Sequence, residues 1–266
     1  MSRPYYKPDP ITGGGGAQYI GAEYKLNDPW EEQARNVKLV GHSELNGWGD
    51  AFQIQVSKGI CYVAASGING HDGMTILDVS DPSKPKILNQ ISDSPGARTH
   101  KVLKISDDIM ITNSELRPNL IGKYPDLKGG LKVFDISDPI NPKFLKYVQT
   151  DGVGVHRPIY DRDRKLLYSS GYRDGFDKKI LLIHDMKDPA NPEFIGQGWV
   201  EGQKKGENYS WDNSIVQNEA WCHEGNPWGN FVTAGWWDGG IVLFDCTDPS
   251  NPKFKWRHNP HETHGW

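Results

Sequence analysis

The stretch MTILDVSDPSKPKIL (residues 74–88) decides the fold, because three later segments repeat it. The repeats are LKVFDISDPINPKFL (131–145), ILLIHDMKDPANPEFI (180–195) and IVLFDCTDPSNPKFK (241–255). Each reads as an apolar strand, an Asp-Pro turn and a second short strand, since Asp bonds the backbone ahead of it and Pro restricts φ. The leading aspartates, which are 57, 50 and 60 residues apart, are Asp78, Asp135, Asp185 and Asp245.

Two further strand-like runs precede each repeat, as in HKVLKIS (100–106) and IMITNS (109–114). Four strands in about fifty residues is the period of a β-propeller blade, and a β-sandwich would not repeat one turn four times. The predicted fold is therefore all-β, a β-propeller of four-stranded blades. The predicted organisation is an extended N-terminal arm at 1–35 and propeller blades over 36–266, at 48–93, 97–150, 154–200 and 213–257, with the start of a further blade at 261–266.

The strand and turn resemble the signature of the LVIVD-repeat β-propeller family. The matching segments are ILDVSDP (76–82), VFDISDP (133–139), LIHDMKDP (182–189) and LFDCTDP (243–249). The resemblance covers residues 36–266 and implies a β-propeller, but it implies no particular chemistry.

The propeller ring does not close on this sequence alone. Residues 36–45 (NVKLVGHSEL) align with 141–150 (NPKFLKYVQT), which predicts that the N-terminal segment donates an outer strand to the last blade. Residues 261–266 (HETHGW) resemble the opening of an inner strand. Because open strand edges need cover, we expect a second polypeptide or a cleaved C-terminal part to complete six or seven blades as a hetero-oligomer. The alternative is a four-bladed ring with a C-terminal tail.

Polar residues recur where the inner strands begin. With the blades aligned on their second strands, the equivalent positions are His100, His156, Glu219 and His264. The starts of inner strands meet at one end of the channel, so this set predicts a divalent-metal site for iron, manganese or zinc. If His223 is instead the ligand of the fourth blade, Glu219 serves as a base or supports a ligand, and we count both as candidate catalytic residues. The plain alternative is a set of histidines hydrogen-bonded to channel water.

Loops that open at the same end supply candidate substrate-binding residues. These are Arg117, Tyr172, Arg173, Trp236 and Trp237. Arginine forks beside aromatic side chains suit a small anionic or aromatic molecule.

The function predicted from these residues is a metal-dependent enzyme, of lyase or hydrolase type, acting on such a molecule in the central channel. An iron-dependent oxygenase or oxidase at the same site and a non-catalytic scaffold for protein–protein interaction remain as alternatives, because propellers host both enzymes and scaffolds.

Composition narrows the partners and the compartment. Thirty Lys and Arg against 34 Asp and Glu argue against nucleic acid or a membrane surface as a partner. The three cysteines have no CxxC spacing, and the N-terminus has no apolar leader segment. We therefore expect a cytoplasmic protein with free thiols.

Overall fold

The computed structural model describes residues 6–8, 17–19, 38–48, 51–66, 72–92, 97–116, 129–208 and 220–258. Within these ranges the chain is β-structure with two short 3-10 turns, at Leu45–Gly47 and Trp237–Gly239. No helix among the described residues is long and apolar enough to cross a membrane. Two short strands, β1 (Tyr6–Pro8) and β2 (Ala17–Tyr19), pair with each other near the N-terminus.

Blades 1 and 4 are separate four-stranded antiparallel sheets whose strands pair in chain order. The strands of blade 1 are β3 (Ala51–Ser57), β4 (Ile60–Ser66), β5 (Asp72–Asp78) and β6 (Lys86–Ser92). Those of blade 4, at the other end of the described chain, are β17 (Glu224–Trp228), β18 (Phe231–Gly235), β19 (Ile241–Asp245) and β20 (Lys253–His258).

The inner strands of blades 2 and 3 are each broken into two pieces. The strands of blade 2 are β7 (Ala97–Arg98), β8 (Val102–Lys104), β9 (Ile109–Leu116), β10 (Gly130–Asp135) and β11 (Lys143–Gln149). Those of blade 3 are β12 (Asp151–Val155), β13 (Ile159–Asp161), β14 (Leu166–Tyr172), β15 (Ile180–Asp185) and β16 (Glu193–Gly198). One bridge between Gly154 and Glu115 joins these two blades into a single ten-stranded sheet.

The Asp-Pro turns form as their sequence predicts. Asp78 accepts a hydrogen bond from the backbone N–H of Ser80 at 2.9 Å, and Asp81 accepts one from Ser83 at 3.0 Å. A backbone bond from Lys84 N–H to the Asp81 carbonyl closes the turn at 3.0 Å. The same pair of aspartate caps recurs at Asp135 and Asp138, at Asp185 and Asp188, and at Asp245 and Asp248. Each turn therefore carries its own local stabilisation.

The hydrophobic core lies between neighbouring blades. Tyr62 and Ile76 of blade 1 pack against Met110 and Phe134 of blade 2 in one buried cluster. Equivalent clusters fill the spaces between blades 2 and 3 and between blades 3 and 4. Packing of neighbouring blades on both faces explains why β9 and β14 of blades 2 and 3 are buried almost throughout, whereas β18 alternates buried and exposed residues.

The segment predicted as a donated outer strand pairs with no described strand, and because the blade that it would complete lies outside the described residues, the donation stays a prediction. Residues 38–44 form no strand with any described residue. The segment leads into the turn at Leu45–Gly47, and Leu45 packs against Cys61 and Leu77 on the face of blade 1 that points away from blade 2.

Candidate active site

The two histidines predicted at equivalent blade positions lie side by side. His100 occupies the break between β7 and β8, and His156 follows β12 in the break before β13. Their imidazole centroids are 4.2 Å apart, and both side chains are buried. Phe52 of blade 1 stacks on His100 at 4.4 Å. Interrupted inner strands thus bring two histidines together from positions 56 residues apart in the sequence.

A buried carboxylate, Glu115 at the end of β9, lies against both imidazoles. Its Oε2 atom is 2.8 Å from His156 Nδ1 and 2.9 Å from His100 Nε2. The same oxygen accepts a hydrogen bond from Arg98 at 3.0 Å, and Oε1 pairs with the Lys179 ammonium. Both carboxylate oxygens are therefore engaged, in a group whose side chain is only 1% exposed.

Lys179 carries a second buried charge into the site from blade 3. Its Nζ atom lies 4.6 Å from the centroid of Trp221, so the ammonium is held between a carboxylate and an aromatic face. Together with Arg98, it sets two positive charges against the one negative charge of Glu115. The cluster has a surplus of positive charge.

Blade 4 closes the site with His223, which lies just before β17. The His223 imidazole is 5.0 Å from that of His156 and 5.6 Å from the Trp237 ring. Next to it, Glu224 binds Lys101 of blade 2 at 2.8 Å and lies 3.8 Å from Arg157 of blade 3. These ion pairs tie three blades together and add further positive charge around the site.

Two buried side-chain amides fix the backbone on which the site is built. The Oδ1 atom of Asn113 accepts the N–H groups of His100 and Lys101, at 2.8 and 2.9 Å, and its Nδ2 donates to the Val155 carbonyl at 3.0 Å. This one amide thus holds the backbone of His100 to that of the residue preceding His156.

The second buried amide, that of Gln203, fixes the backbone next to Lys179. Its Nε2 donates to the carbonyls of Lys179 and Ala220, each at 3.1 Å, and its Oε1 accepts the Trp236 indole N–H at 2.9 Å. Loss of either amide would leave buried polar groups unpaired, so both positions are sensitive.

Glycine is needed where β12 approaches β9. Gly154 has φ +95, and a Cβ atom there would overlap the Ser114 carbonyl oxygen and the Cα of Gly129. The bare backbone lets β12 bridge to Glu115, which places His156 within reach of the carboxylate.

Burial and charge set the protonation of the cluster. Burial alone would raise the pKa of Glu115, but the Lys179 charge and the contacts with His156 and His100 hold it well below its usual value. Burial lowers the pKa of His100 and lowers that of His156 further, and Glu115 opposes both shifts only in part. Burial, helped by the Arg157 charge, lowers the pKa of His223 to about 4. Around neutral pH the carboxylate is therefore ionised and the three imidazoles are neutral.

These protonation states fix the tautomer of His156. An ionised Glu115 only accepts hydrogen bonds, so the Nδ1 atom of His156 carries the proton and its Nε2 atom keeps a free lone pair. His100 differs, because both of its imidazole nitrogens are buried without a hydrogen-bond partner in the part of the chain that the structure describes. Its 2.9 Å approach to Glu115 is thus a close contact without hydrogen-bond direction.

The chemistry of these groups fits a metal ion held by imidazole nitrogens. Ligand atoms of His100, Glu115 and His156 all lie within 4.8 Å of one another. Neutral imidazoles with unpartnered nitrogens are metal ligands, and a carboxylate behind a ligating histidine is the usual support for one. Because both Glu115 oxygens already pair with nitrogen groups, Glu115 suits that supporting place better than a ligand position.

Three of the residues predicted for the site lie outside the described ranges. They are Arg117, Glu219 and His264, and their places in the site stay predictions. His223 is described and lies beside His156.

The other substrate-binding candidates occupy varied places. Trp237 is the candidate nearest the cluster, beside His223. Trp236 is fully buried in the core between blades 3 and 4, where it has a packing role. The Arg173 guanidinium lies 4.2 Å from the centroid of the Phe194 ring. Tyr172 packs against a small buried cluster of Ala97, Leu116 and Val153 from blades 2 and 3.

Sequence reasoning missed Glu115, Lys179 and Arg98. Glu115 sits in SEL (114–116), which looks like the start of a loop, yet β9 continues through Leu116. The repeat alignment did contain a signal for Glu115. When blades 2 and 3 are matched on their second strands, Glu115 aligns with Tyr172, which was already a candidate site residue. No such repeat position marks Lys179 or Arg98 as members of a site.

Comparison with known proteins places the fold. The LVIVD repeat model matches residues 48–92, 120–150 and 228–259, so the chain carries LVIVD repeats and the resemblance is confirmed for three of its four turns. No curated protein matches the chain.

Solved structures with this architecture are propeller-like. A Bacteroides uniformis protein with the provisional description 6-phosphogluconolactonase matches with a TM-score of 0.52 at 12% identity, over 80% of this chain and 54% of its own. A Lactobacillus plantarum protein matches with 0.56 at 10% identity, over 80% and 56%. The Dos1 propeller matches with 0.50 at 15% identity, over 81% and 49%. The chain thus spans about half the length of these structures. At such identities the likeness concerns the β-propeller fold alone.

Proposed function

We propose that this chain is a metal-dependent enzyme whose site is the cluster of His100, His156 and Glu115, and that it acts on a small anionic molecule as a hydrolase or lyase. The observation that carries the proposal is a pair of buried imidazoles from two blades: neither nitrogen of His100 has a hydrogen-bond partner among the described residues, and His156 is held through Nδ1 by the Glu115 carboxylate. His100 and His156 hold the ion, as their aligned positions predict. Glu115 orients His156 through the Nδ1 hydrogen bond.

The low histidine pKa values favour ligation over proton transfer. A general base works best when its pKa is near the working pH, and burial lowers the pKa of both His100 and His156. A ligating imidazole must be neutral, which the same burial ensures. A bound divalent ion, whether iron, manganese or zinc, supplies Lewis-acid polarisation of a substrate oxygen and a more acidic bound water. By the same reasoning His223, whose pKa burial lowers to about 4, is a poor proton carrier, so proton transfer is assigned to Glu219, the other candidate catalytic residue.

The charge of the surroundings supports an anionic substrate. Arg98 and Lys179 outnumber Glu115, and Lys101 with Arg157 outnumber Glu224. A divalent ion adds to this positive charge, so the bound state is best balanced by an anion that reaches the ion. Two aromatic rings lie nearby, those of Trp221 and Trp237, whose centroids are 5.6 Å apart.

The test is elemental analysis after reconstitution with Fe(II), Mn(II) and Zn(II) in turn. About one ion per chain is expected in the wild type. A metal content at least about tenfold lower is expected in His100→Ala and His156→Ala, and no change in His258→Ala, whose histidine lies exposed on β20. Near-UV circular dichroism confirms that each variant is folded.

Two outcomes reject the proposal. One is equal metal content in His156→Ala and His258→Ala, and the other is a folded wild type that takes up none of the three metals. Either result moves the assignment to the non-catalytic scaffold that the sequence leaves open. With a loaded protein, hydrolysis or elimination is then measured on a panel of carboxylate-bearing esters and lactones, with the metal-free protein as the reference.

A further inference from the structure

We infer that further propeller blades, outside residues 1–266, dock between residues 38–44 and the open face of blade 4, and that the last of these blades has three strands of its own because residues 38–44 supply the fourth. The inference stands independently of the proposed metal site. It rests on a contact that recurs at every boundary between neighbouring blades of this chain.

The recurring contact joins an outer strand to the Asp-Pro turn of the following blade. In blade 1, Asn89 donates from Nδ2 to the Ile140 carbonyl of the blade 2 turn at 2.8 Å. In blade 2, the Lys146 ammonium donates to Asn191 Oδ1 of the blade 3 turn at 2.6 Å. Asn89 and Lys146 occupy the same repeat position, four residues after the second proline of the turn.

Glycine fills that position at the third boundary and again at the N-terminal segment. Gly196 of blade 3 lies so close to the blade 4 turn that a Cβ atom would overlap the Pro249 carbonyl oxygen. Gly41 meets the blade 1 turn in the same way, at the Pro82 carbonyl oxygen. In the alignment of 36–45 with the outer strands, Gly41 falls at the position of Gly196. Residues 38–44 therefore lie where the outer strand of a blade preceding blade 1 belongs.

The blade that should accompany this outer strand is missing from the described chain. Leu39 and Val40 are 55% and 58% exposed, and residues 38–44 pair with no described strand. The segment is nevertheless held in place, because Gln90 donates from Nε2 to the Leu45 carbonyl at 2.9 Å and Leu45 packs into blade 1. A positioned, unpaired strand segment is a template for the third strand of such a blade.

Blade 4, at the C-terminal end of the described chain, likewise lacks a neighbouring blade among the described residues. Trp256 occupies the repeat position of Asn89, Lys146 and Gly196, but it has no following turn among the described residues and is 44% exposed. On the same blade Phe231 and Ile241 are also exposed. This apolar face continues the type of interface that buries the faces of blades 2 and 3, so a further blade fits it.

Strand counts exclude a second copy of this chain as the occupant. A copy would bring its blade 4 against residues 38–44, but blade 4 already has its outer strand in β20. Two segments would then compete for one outer position. The occupant must instead end in a blade of three strands. The matched propellers, of which this chain spans about half, have length for such extra blades.

Site-specific photo-crosslinking in the cells that make the protein tests the inference. Benzoylphenylalanine is placed at Val40 in one variant and at Trp256 in another, and the crosslinked partner is sequenced by mass spectrometry. The matched control is benzoylphenylalanine at Leu145, which has the repeat position of Val40 on β11 and is 46% exposed. We expect both test positions to crosslink to one polypeptide that contains strand and Asp-Pro turn repeats, and Leu145 to give at least tenfold less product.

Three results overturn the inference: no product above the Leu145 control, a product between two copies of this chain, or a partner without blade repeats. A second variant guards against an indirect effect. Val40→Pro removes a backbone N–H from the exposed segment and should reduce the Trp256 crosslink to the same partner by tenfold or more, while leaving the metal content of the wild type unchanged. An unchanged Trp256 crosslink in this variant also contradicts the inference.

Discussion

The Glu115–Lys179 pair should be the most strongly coupled ion pair among the described residues. The side chains are 1% and 6% exposed, and two unit charges about 4 Å apart interact by about 4 kcal/mol at an effective dielectric constant of 20. Glu115→Gln leaves the charges of Lys179 and Arg98 buried without their carboxylate. We therefore expect the free energy of unfolding to fall by about 3–5 kcal/mol, the usual cost of removing one partner of a buried ion pair.

A double-mutant cycle separates this coupling from other effects of the substitutions. Lys179→Met alone should cost less than Glu115→Gln, because Arg98 and His156 still contact the carboxylate. In the double variant the lost stability should be smaller than the sum of the single losses by at least about 2 kcal/mol. Urea titration followed by tryptophan fluorescence measures all four proteins. Single losses that add within about 0.5 kcal/mol would refute the reasoning. Lys58→Met, which breaks an exposed pair with Asp107, is the control and should leave stability unchanged.

Three further substitutions test separate parts of the structure. Burial lowers the pKa of His184 to about 4 in the folded chain. Between about pH 6.5 and pH 4, His184 therefore binds a proton in the unfolded chain but not in the folded chain. The unfolding free energy should fall across this window, and by about 3 kcal/mol less in His184→Leu, as urea titrations at each pH will measure. Gln203→Leu leaves the Trp236 indole N–H and the backbone carbonyls of Lys179 and Ala220 without their hydrogen-bond partner. It should lower the unfolding free energy by about 2–4 kcal/mol in the same assay. Gly154→Ala forces a Cβ atom onto the Ser114 carbonyl oxygen and should lower both the melting temperature and the metal content.

Matched variants make these three results decisive. His258→Leu changes an exposed histidine and should keep the wild-type pH dependence, so an equal slope in His184→Leu would contradict the assigned pKa. Gly229→Ala has φ +56 but open space around it, and it isolates backbone strain from steric overlap. If Gly154→Ala is no more harmful than Gly229→Ala, the close approach of β12 to β9 is not essential. For Gln203→Leu, a loss under about 0.5 kcal/mol would show that the buried amide does not hold the backbone as described.

The sequence alone determined the fold class and predicted three histidines of the candidate site, His100, His156 and His223. The Asp-Pro turns are local devices, in which each aspartate caps the backbone two residues ahead, so their chemistry is legible without tertiary information. Repetition then aligns the blades, and the alignment puts His100 and His156 at equivalent inner-strand positions, which the structure brings within 4.2 Å. A regular repeat converts sequence position into spatial position.

Only the tertiary structure decided what surrounds those histidines. Glu115, Lys179 and Arg98 come from three different strand ends or loops, and no repeat position or motif singles out the last two. Their meeting depends on the close approach at Gly154, which the sequence shows only as one glycine among 30. Burial then sets their charges, lowering the pKa of the histidines while paired cations keep Glu115 ionised. Protonation of a buried cluster is a property of distance and solvent exclusion, and neither is written in the order of residues along the chain.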